Sequence, residues 1–466
     1  MTRPTPVRRI SSPDGGMSEA VRHCVVIAAG RGSRLAGDGS PKPLFRLLGL
    51  PLIERAIVTA KRSGLENFIV VTGYDGVRIR KFLDRLTIRR EITLTHVVNE
   101  DWSAGNGISV LKAREAIGAE PFVLLMADHL LGPRLLPELL ASPLKEGTVR
   151  LAVDFNLRNP LVDLADVTRV RTEGGRLKSI GKQLEDYNAF DTGCFVCSPA
   201  LFAALERSRE RDDDETLSGG IRVLAESRKV QVHDIGDAFW IDVDDRGAVR
   251  RAERALIERL PKLGDGPISR YLNRPLSTRI TRRLVTRSVT PNQISVFCFA
   301  LSLIAAALFA VGGTLTLALG GLLAQLASVV DGCDGEVARL QCRESAFGGW
   351  FDAVLDRYSD AFLLFGLSWH VFATQGSALV LGVGFLAITG SFMVSYTADK
   401  HDSLMKTRFE RGEGRGFRIG RDLRVLVIAL GAVVNLPFLA LSVIAAVMNI
   451  ETVRRVAAAR DARAPA

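Results

Sequence analysis

Four aspartates stand where a chain tolerates them least. Asp331, Asp334, Asp352 and Asp356 lie in the stretch DGCDGEVARLQCRESAFGGWFDAVLD, between apolar runs long enough to read as membrane-spanning helices. A carboxylate at bilayer depth costs about 2.5 to 3.5 kcal/mol on insertion scales, so four of them near one another demand a compensating partner. A divalent cation is the simplest one. Standing three and four positions apart, the members of each pair share a face of a helix, and two such helices side by side bring four carboxylates to one point. All-oxygen donors suit Mg²⁺, Mn²⁺ or Ca²⁺ rather than zinc. A solvated loop or an ion path is the plainer reading. Gly335, Gly348 and the small Ala338 argue against the loop, because they leave room for a phosphate or ribose to approach backbone closely.

The spacing Asp331-x2-Asp334-Gly335-x2-Ala338-Arg339-x8-Gly348-x3-Asp352-x3-Asp356 resembles the full signature of the CDP-alcohol phosphotransferase family, with every fixed position matched. The resemblance implies Asp331, Asp334 and Asp352 as metal ligands, with Mg²⁺ expected and Mn²⁺ as the alternative. It places Gly335, Arg339 and Gly348 around the nucleotide of a CDP-alcohol. Asp356 becomes a further ligand and the general base that takes a proton from the acceptor hydroxyl. A homodimer through the membrane helices is implied as well.

The chain of 466 residues changes solvent part-way. Up to about residue 260 short apolar runs alternate with charged turns, as in a soluble α/β domain; after Ile294 long apolar runs dominate. The expected domains are a disordered tail at 1–20, an α/β unit at 21–260, a linker with a juxtamembrane amphipathic helix at 261–290, an all-α membrane unit at 291–455 and a tail at 456–466. Met1 to Ala20 lacks the apolar segment of a signal peptide. Six spans are expected, near 293–312, 314–333, 347–373, 377–397, 422–437 and 438–453. Lys and Arg gather on one side of them, in Arg270 to Arg287, in Lys400 to Arg424 and at Arg454 and Arg455. The positive-inside rule then puts both termini in the cytoplasm, in a multi-pass protein of the cell inner membrane.

The net charge of +10 also admits nucleic-acid binding. Because the basic residues cluster beside apolar spans, anionic lipid is the expected partner and nucleic acid is not. Within 400–424, Lys406, Arg418 and Arg421 are candidates to clamp an anionic acceptor such as a phosphorylated polyol. The six cysteines show no disulfide framework. Cys194 and Cys197 form a CxxC, but three apart in a strand they take opposite faces.

In the soluble part a buried strand, Cys24 to Ala28, runs into Ala29-Gly30-Arg31-Gly32-Ser33-Arg34 and then Pro41-Lys42-Pro43-Leu44. A strand leading into a glycine-rich turn is a phosphate cradle in general terms, although this one is neither GxGxxG nor a Walker loop. With Arg34 and Lys42 to meet a triphosphate, the segment resembles the start of the sugar-phosphate nucleotidyltransferase family. Later pieces agree in order. Asn99 to Val110, including Asn106, fits around base and ribose, and Asp128 closes a buried strand. Lys182 and Asp191 lie where the acceptor's phosphate and hydroxyls are held, while Asp242 and Asp244 supply the second metal carboxylate in preference to Asp245. The pieces MADHL, GNGISV and YNAFDTG further resemble inositol-1-phosphate cytidylyltransferases.

Fusion of a unit that makes a CDP-alcohol to one that consumes it resembles the bifunctional inositol-1-phosphate cytidylyltransferase and di-myo-inositol-phosphate-phosphate synthase family. What it implies is CDP-inositol from CTP and inositol-1-phosphate, then transfer of phosphoinositol to a second inositol-1-phosphate. The competing readings are a phospholipid synthase using CDP-diacylglycerol, the same two steps on another polyol phosphate, and a transporter with a degenerate nucleotide sensor.

Overall fold

Both faces of strand β1 (His23–Ala28) are buried: Val25 and Ile27 enter one apolar cluster, and Cys24, Val26 and Ala28 enter another. That is why the run is apolar throughout rather than alternating, and it marks a central strand of a sheet covered on both sides. The computed structural model describes residues 21–35, 39–260, 266–287, 289–405 and 420–461. Two units divide the chain, Met1–Glu253 and Arg254–Ala466.

In the first unit a 3₁₀ turn at Lys42–Leu44 follows β1, then the small hairpin β2 (Arg46–Leu47) and β3 (Leu50–Pro51) and helix α1 (Leu52–Arg62). Next come β4 (Asn67–Thr72), α2 (Gly76–Arg90), β5 (Thr93–Val98), α3 (Asn106–Lys112) and α4 (Arg114–Ile117). They are followed by β6 (Phe122–Met126), β7 (His129–Leu131), α5 (Leu135–Leu140), β8 (Val149–Asp154), β9 (Arg169–Glu173), β10 (Arg176–Gly181) and β11 (Ala189–Cys197). Helices α6 (Ala200–Asp212) and α7 (Leu217–Glu226), strands β12 (Val230–Asp234) and β13 (Trp240–Asp242), and α8 (Arg246–Glu258) complete it.

Nine strands form one sheet in the order β5-β4-β1-β6-β11-β8-β12-β10-β9. Strands β5, β4, β1 and β6 run parallel, and β11 lies antiparallel to β6. The parallel half therefore delivers the carboxyl ends of β1 and β6 to one edge, the position at which open α/β sheets bind ligands. A separate ribbon pairs β13 with β7 antiparallel, setting Asp242 opposite His129. Cys194 and Cys197 of β11 enter opposite core faces, as their spacing requires.

The second unit is helical. A π-helical turn at Ser269–Asn273 continues into α9 (Arg274–Leu284), and then come α10 (Pro291–Val311), α11 (Thr314–Leu340), α12 (Ala346–Gln375), α13 (Ala378–Met405), α14 (Arg421–Val433) and α15 (Pro437–Asp461). The start of α10 is written locally. Thr290 Oγ1 accepts the Gln293 N–H at 3.4 Å, Gln293 Oε1 accepts the Thr290 N–H at 2.9 Å, and Pro291 occupies the first turn, where its missing N–H costs nothing. Phe309, Leu317, Leu363 and Leu367 are buried between helices, while Phe297, Ile304, Trp350 and Phe365 point outward. A helix apolar on every side needs an apolar solvent. At Gly366 a Cβ would meet the Ala306 carbonyl at 2.5 Å, so α10 and α12 pack at a distance only glycine allows.

Four helices among the described residues are long and apolar enough to cross a membrane: Pro291–Val311, Thr314–Leu340, Ala378–Lys400 and Pro437–Ala457. This is fewer than the six spans the sequence predicts. The 30-residue α12 carries Asp352, Asp356, Arg357 and Asp360, and α14 has only 13 residues. The sequence also predicts α9 as a surface helix, yet its buried residues are polar: Ser277 and Thr281, continuing the stripe of Ser269 and Asn273. Tyr271, Leu272 and Leu276 are exposed on the other side.

Candidate active sites

The first site forms where the ends of β1 and β6 meet the β7–β13 ribbon. Asp128 follows β6, Asp242 ends β13 and Asp244 lies two residues beyond it, so Asp244 is not in the strand that would have set both on one face. All three nevertheless converge on one cation. Lys42, with its side chain only 7% exposed, pairs with Asp128 and Asp244 and stands 3.8 Å from Asp242. Gly32 makes this possible: at φ +61° it takes a left-handed conformation, and a Cβ there would strike the Lys42 stem.

Oxygen or nitrogen atoms of Asp128, His129 and Asp242 lie within 4.8 Å of one another. Asp242 Oδ1 is buried, and no donor among the described residues bonds to it. An orphaned carboxylate oxygen beside two more carboxylates fits a hard divalent cation. His129 was not singled out by sequence reasoning, although it adjoins Asp128. Its Nδ1 lies 2.7 Å from the Thr192 carbonyl and its Nε2 lies 3.4 Å from Asp242.

The electrostatics follow from this crowding. Burial pulls the Lys42 ammonium down, but the surrounding Asp128, Asp242 and Asp244 outweigh it and hold its pKa above the ordinary value. Burial likewise disfavours charged His129, and Asp242 reverses this, raising it to about 10. Burial would raise Asp242, yet His129 and Lys42 hold it below the usual carboxylate range. Asp244 is raised to about 6 by burial and by the charge on Asp242.

A cavity of about 360 Å³ opens from these groups, lined among others by Gly30, Arg34, Asn106, Lys182 and Asp191. Asp166, also missed by sequence reasoning, bridges two cations there, Lys182 at 2.5 Å and Arg34 at 2.6 Å; Arg34 also reaches Asp244 at 3.3 Å. Asn106 Oδ1 accepts the Leu217 N–H at 2.8 Å, which ties the start of α3 to α7. Asp191 Oδ1 accepts the Gly193 N–H at 2.7 Å. Ala29 is 2% exposed, and its carbonyl accepts the Tyr74 N–H at 2.9 Å.

The second site is built on α11 and α12. Carboxylate oxygens of Asp331, Asp352 and Asp356 lie within 4.8 Å of one another, as the helical spacing predicts. Asp334 accepts a hydrogen bond from Ser295 Oγ at 2.6 Å. Arg421, at the start of α14, joins the cluster: Nη1 lies 2.7 Å from Asp331 and 2.8 Å from Asp356. Behind it, buried Asp360 takes Arg421 Nε at 3.3 Å and Arg424 Nη2 at 2.6 Å. Asp360 extends the series Asp352, Asp356 by one more helical turn and could have been found by that spacing. Three half-buried carboxylates with a single shared guanidinium again fit a divalent cation.

Around this cluster Gly335 has Arg339 one turn away, with Nη1 3.2 Å from where a Cβ would stand. The Gly348 N–H is used within the protein, donated to Ser345 Oγ at 3.0 Å to cap α12, so only the open side of Gly348 is available to a nucleotide. Lys406 and Arg418 lie outside the described residues.

The model of the MobA-like NTP transferase domain matches residues 24–213, and that of the CDP-alcohol phosphatidyltransferase family matches residues 288–459. A bifunctional IPC transferase and DIPP synthase of Rubrobacter xylanophilus is 39% identical over 94% of this chain and 96% of its own length. The chain belongs to that family. A second bifunctional IPC transferase and DIPP synthase, from Thermococcus kodakarensis, is 36% identical over 81% of this chain and 82% of its own. Among solved structures, the inositol-1-phosphate CTP transferase from T. maritima superimposes with a TM-score of 0.46 at 26% identity, covering 51% of this chain and 96% of that one. As a member of the bifunctional IPC transferase and DIPP synthase family, the chain is an enzyme that carries a nucleotidyltransferase and a CDP-alcohol phosphotransferase in one polypeptide, with membrane helices in the second.

Proposed function

We propose that the first unit joins CTP to inositol-1-phosphate, releasing pyrophosphate and leaving CDP-inositol. The second unit then transfers phosphoinositol from CDP-inositol to another inositol-1-phosphate, giving di-myo-inositol phosphate phosphate and CMP. What carries this reading is the presence on one chain of two carboxylate clusters. One sits at sheet ends beside a polar cavity, and the other sits among apolar helices.

In the first step the acceptor's phosphate oxygen attacks the α-phosphorus of CTP. Asp128, Asp242 and Asp244 would hold Mg²⁺ or Mn²⁺, which neutralises phosphate charge and fixes the line of attack. Arg34 and Lys42 meet the triphosphate, and Gly30, Gly32 and Asn106 with the backbone at Ala29 shape the nucleotide end. Lys182 receives the acceptor phosphate and Asp191 its hydroxyls. Positioning and charge neutralisation are the main demands of such transfers.

In the second step Asp356 takes the proton of an acceptor hydroxyl. The resulting oxygen attacks the β-phosphorus of CDP-inositol, and CMP leaves with the bonding pair. Asp331, Asp334, Asp352 and Asp356 would hold the cation, Gly335, Arg339 and Gly348 border the nucleotide, and Lys406, Arg418 and Arg421 clamp the acceptor's phosphate. Helices α10 to α15 form a six-helix membrane unit of a homodimer in the inner membrane, with both termini cytoplasmic and α9 against anionic lipid. The domain boundaries fall near 260 and 290.

Full-length protein in detergent, given Mg²⁺, CTP and inositol-1-phosphate, is expected to release pyrophosphate and CDP-inositol, then CMP and a phosphodiester. Absence of CDP-inositol would reject inositol as the alcohol, and CMP release from CDP-diacylglycerol instead would assign the second unit to phospholipid synthesis.

A further inference from the structure

The face of α11 opposite the aspartates holds a second carboxylate. Glu336 is two residues past Asp334 and fully buried, and it occupies a position that the phosphotransferase signature leaves open. At 100° per residue Asp331 and Asp334 are 60° apart, whereas Glu336 is 160° away from Asp334 around the helix. Its partners all come from α9. Oε1 accepts from Arg274 Nη1 at 2.6 Å and Ser277 Oγ at 2.7 Å, and Oε2 accepts from Thr281 Oγ1 at 2.6 Å.

The same face is held along its length. Cys333 Sγ lies 3.5 Å from the Ser277 carbonyl, and a Cβ on Gly332 would stand 3.5 Å from Arg274 Nη1. This accounts for the inverted character of α9, whose buried Ser277 and Thr281 are polar because they have a charge to satisfy, while Asn273 just before it bonds Ser328, Gln325 and Asp422 instead.

We propose that Glu336 is a positioning residue of the phosphotransfer site: clasped by Arg274, Ser277 and Thr281, it fixes the rotation of α11 that aims Asp331 and Asp334 toward Asp352 and Asp356. An apolar contact would press α9 against α11 without specifying which residues of α11 face it. A carboxylate with three directed donors does specify them, because turning strands a buried charge. The clasp acts on the turn that carries the aspartates. This inference rests on the reading of that cluster as a cation site.

The test uses the full-length chain in detergent. Mn²⁺ binding is followed by electron paramagnetic resonance in an Asp128→Asn, Asp242→Asn background, which removes the other cluster, and the Mg²⁺ requirement of CMP release is followed in the otherwise unmodified chain. Glu336→Gln is expected to weaken Mn²⁺ binding about tenfold and to raise the Mg²⁺ concentration for half-maximal CMP release by a similar factor, with pyrophosphate release unchanged. The pair Glu336→Leu with Arg274→Leu replaces the clasp by apolar packing and keeps the protein folded if the single variant does not fold. It is expected to recover the melting temperature while Mn²⁺ binding stays weak. Wild-type Mn²⁺ affinity in either variant, or recovery of affinity together with melting temperature in the apolar pair, would overturn the proposal. A background chain that binds no Mn²⁺ at all would instead overturn the cation-site reading beneath it.

Discussion

The two sites solve one electrostatic problem with opposite chain economies. The first gathers Lys42, Asp128, Asp242 and Asp244 from positions up to 202 residues apart and holds them at the ends of strands that a sheet has already ordered. The second takes Asp331, Asp352 and Asp356 from one short stretch on two consecutive helices and borrows a distant partner, Arg421. A sheet edge imports its ligands through tertiary structure, whereas a helix pair writes them into the local period. The first is thus tied to the packing of a whole domain and the second to the rotation of single helices.

Separability is the sharpest test of this contrast. Asp356→Asn is expected to reduce CMP release from supplied CDP-inositol by roughly 10²- to 10⁴-fold, the usual contribution of a general base, with pyrophosphate release from CTP unaltered. The mirror variant, Asp128→Asn, should cut pyrophosphate release by about 10²- to 10³-fold, the scale seen when one electrostatic contact to developing charge is removed, and spare CMP release. Loss of both activities in either variant would break the two-site description.

Lys42→Met probes the dependence on packing. Removing the cation leaves three carboxylates, 25 to 38% exposed, facing one another; breaking a fully buried pair costs about 3 to 5 kcal/mol, and solvent screening here brings the loss below that, to about 1 to 3 kcal/mol. A calorimetric or dye-monitored melt should show the first unit destabilised by that order, with part of the loss recovered on adding Mg²⁺. No recovery would mean that the carboxylates do not accept a metal.

The smallest effect concerns Asp191. Burial raises its carboxyl to about 6, although the Gly193 N–H and His129 act in the other direction. Its folded-state value therefore exceeds the unfolded one, so its contribution is most favourable below about pH 4 and is lost as pH rises through about 6. Asp191→Asn removes that ionisation. Its melting temperature relative to the unmodified chain should rise by a few degrees between pH 4 and pH 8, and a difference independent of pH would contradict the assignment.

Legibility in the sequence divides along the same line. The apolar run at β1 and the glycine turn after it were readable because they are local, and so was the shared face of Asp352 and Asp356. His129 and Asp166 were not, since what gives them a role comes from elsewhere: Thr192 and Asp242 for the first, Lys182 and Arg34 for the second. Asp360 and Glu336 were available to helical periodicity but lay outside the signature that drew the eye. Among the described residues, four of the six predicted spans have the apolar length to cross a membrane. The criterion is apolar length, and α12 trades part of it for carboxylates.

Helix α14 has a consequence for the surrounding lipid. Thirteen residues rise about 20 Å, whereas the hydrocarbon layer is about 30 Å thick, so for α14 to reach both faces the bilayer must thin beside it by some 10 Å. The polar end of α14, with Arg421 and Arg424, is what such a dimple would bring within reach of water. If α14 spans, short-chain lipids would relieve a mismatch that long-chain lipids impose.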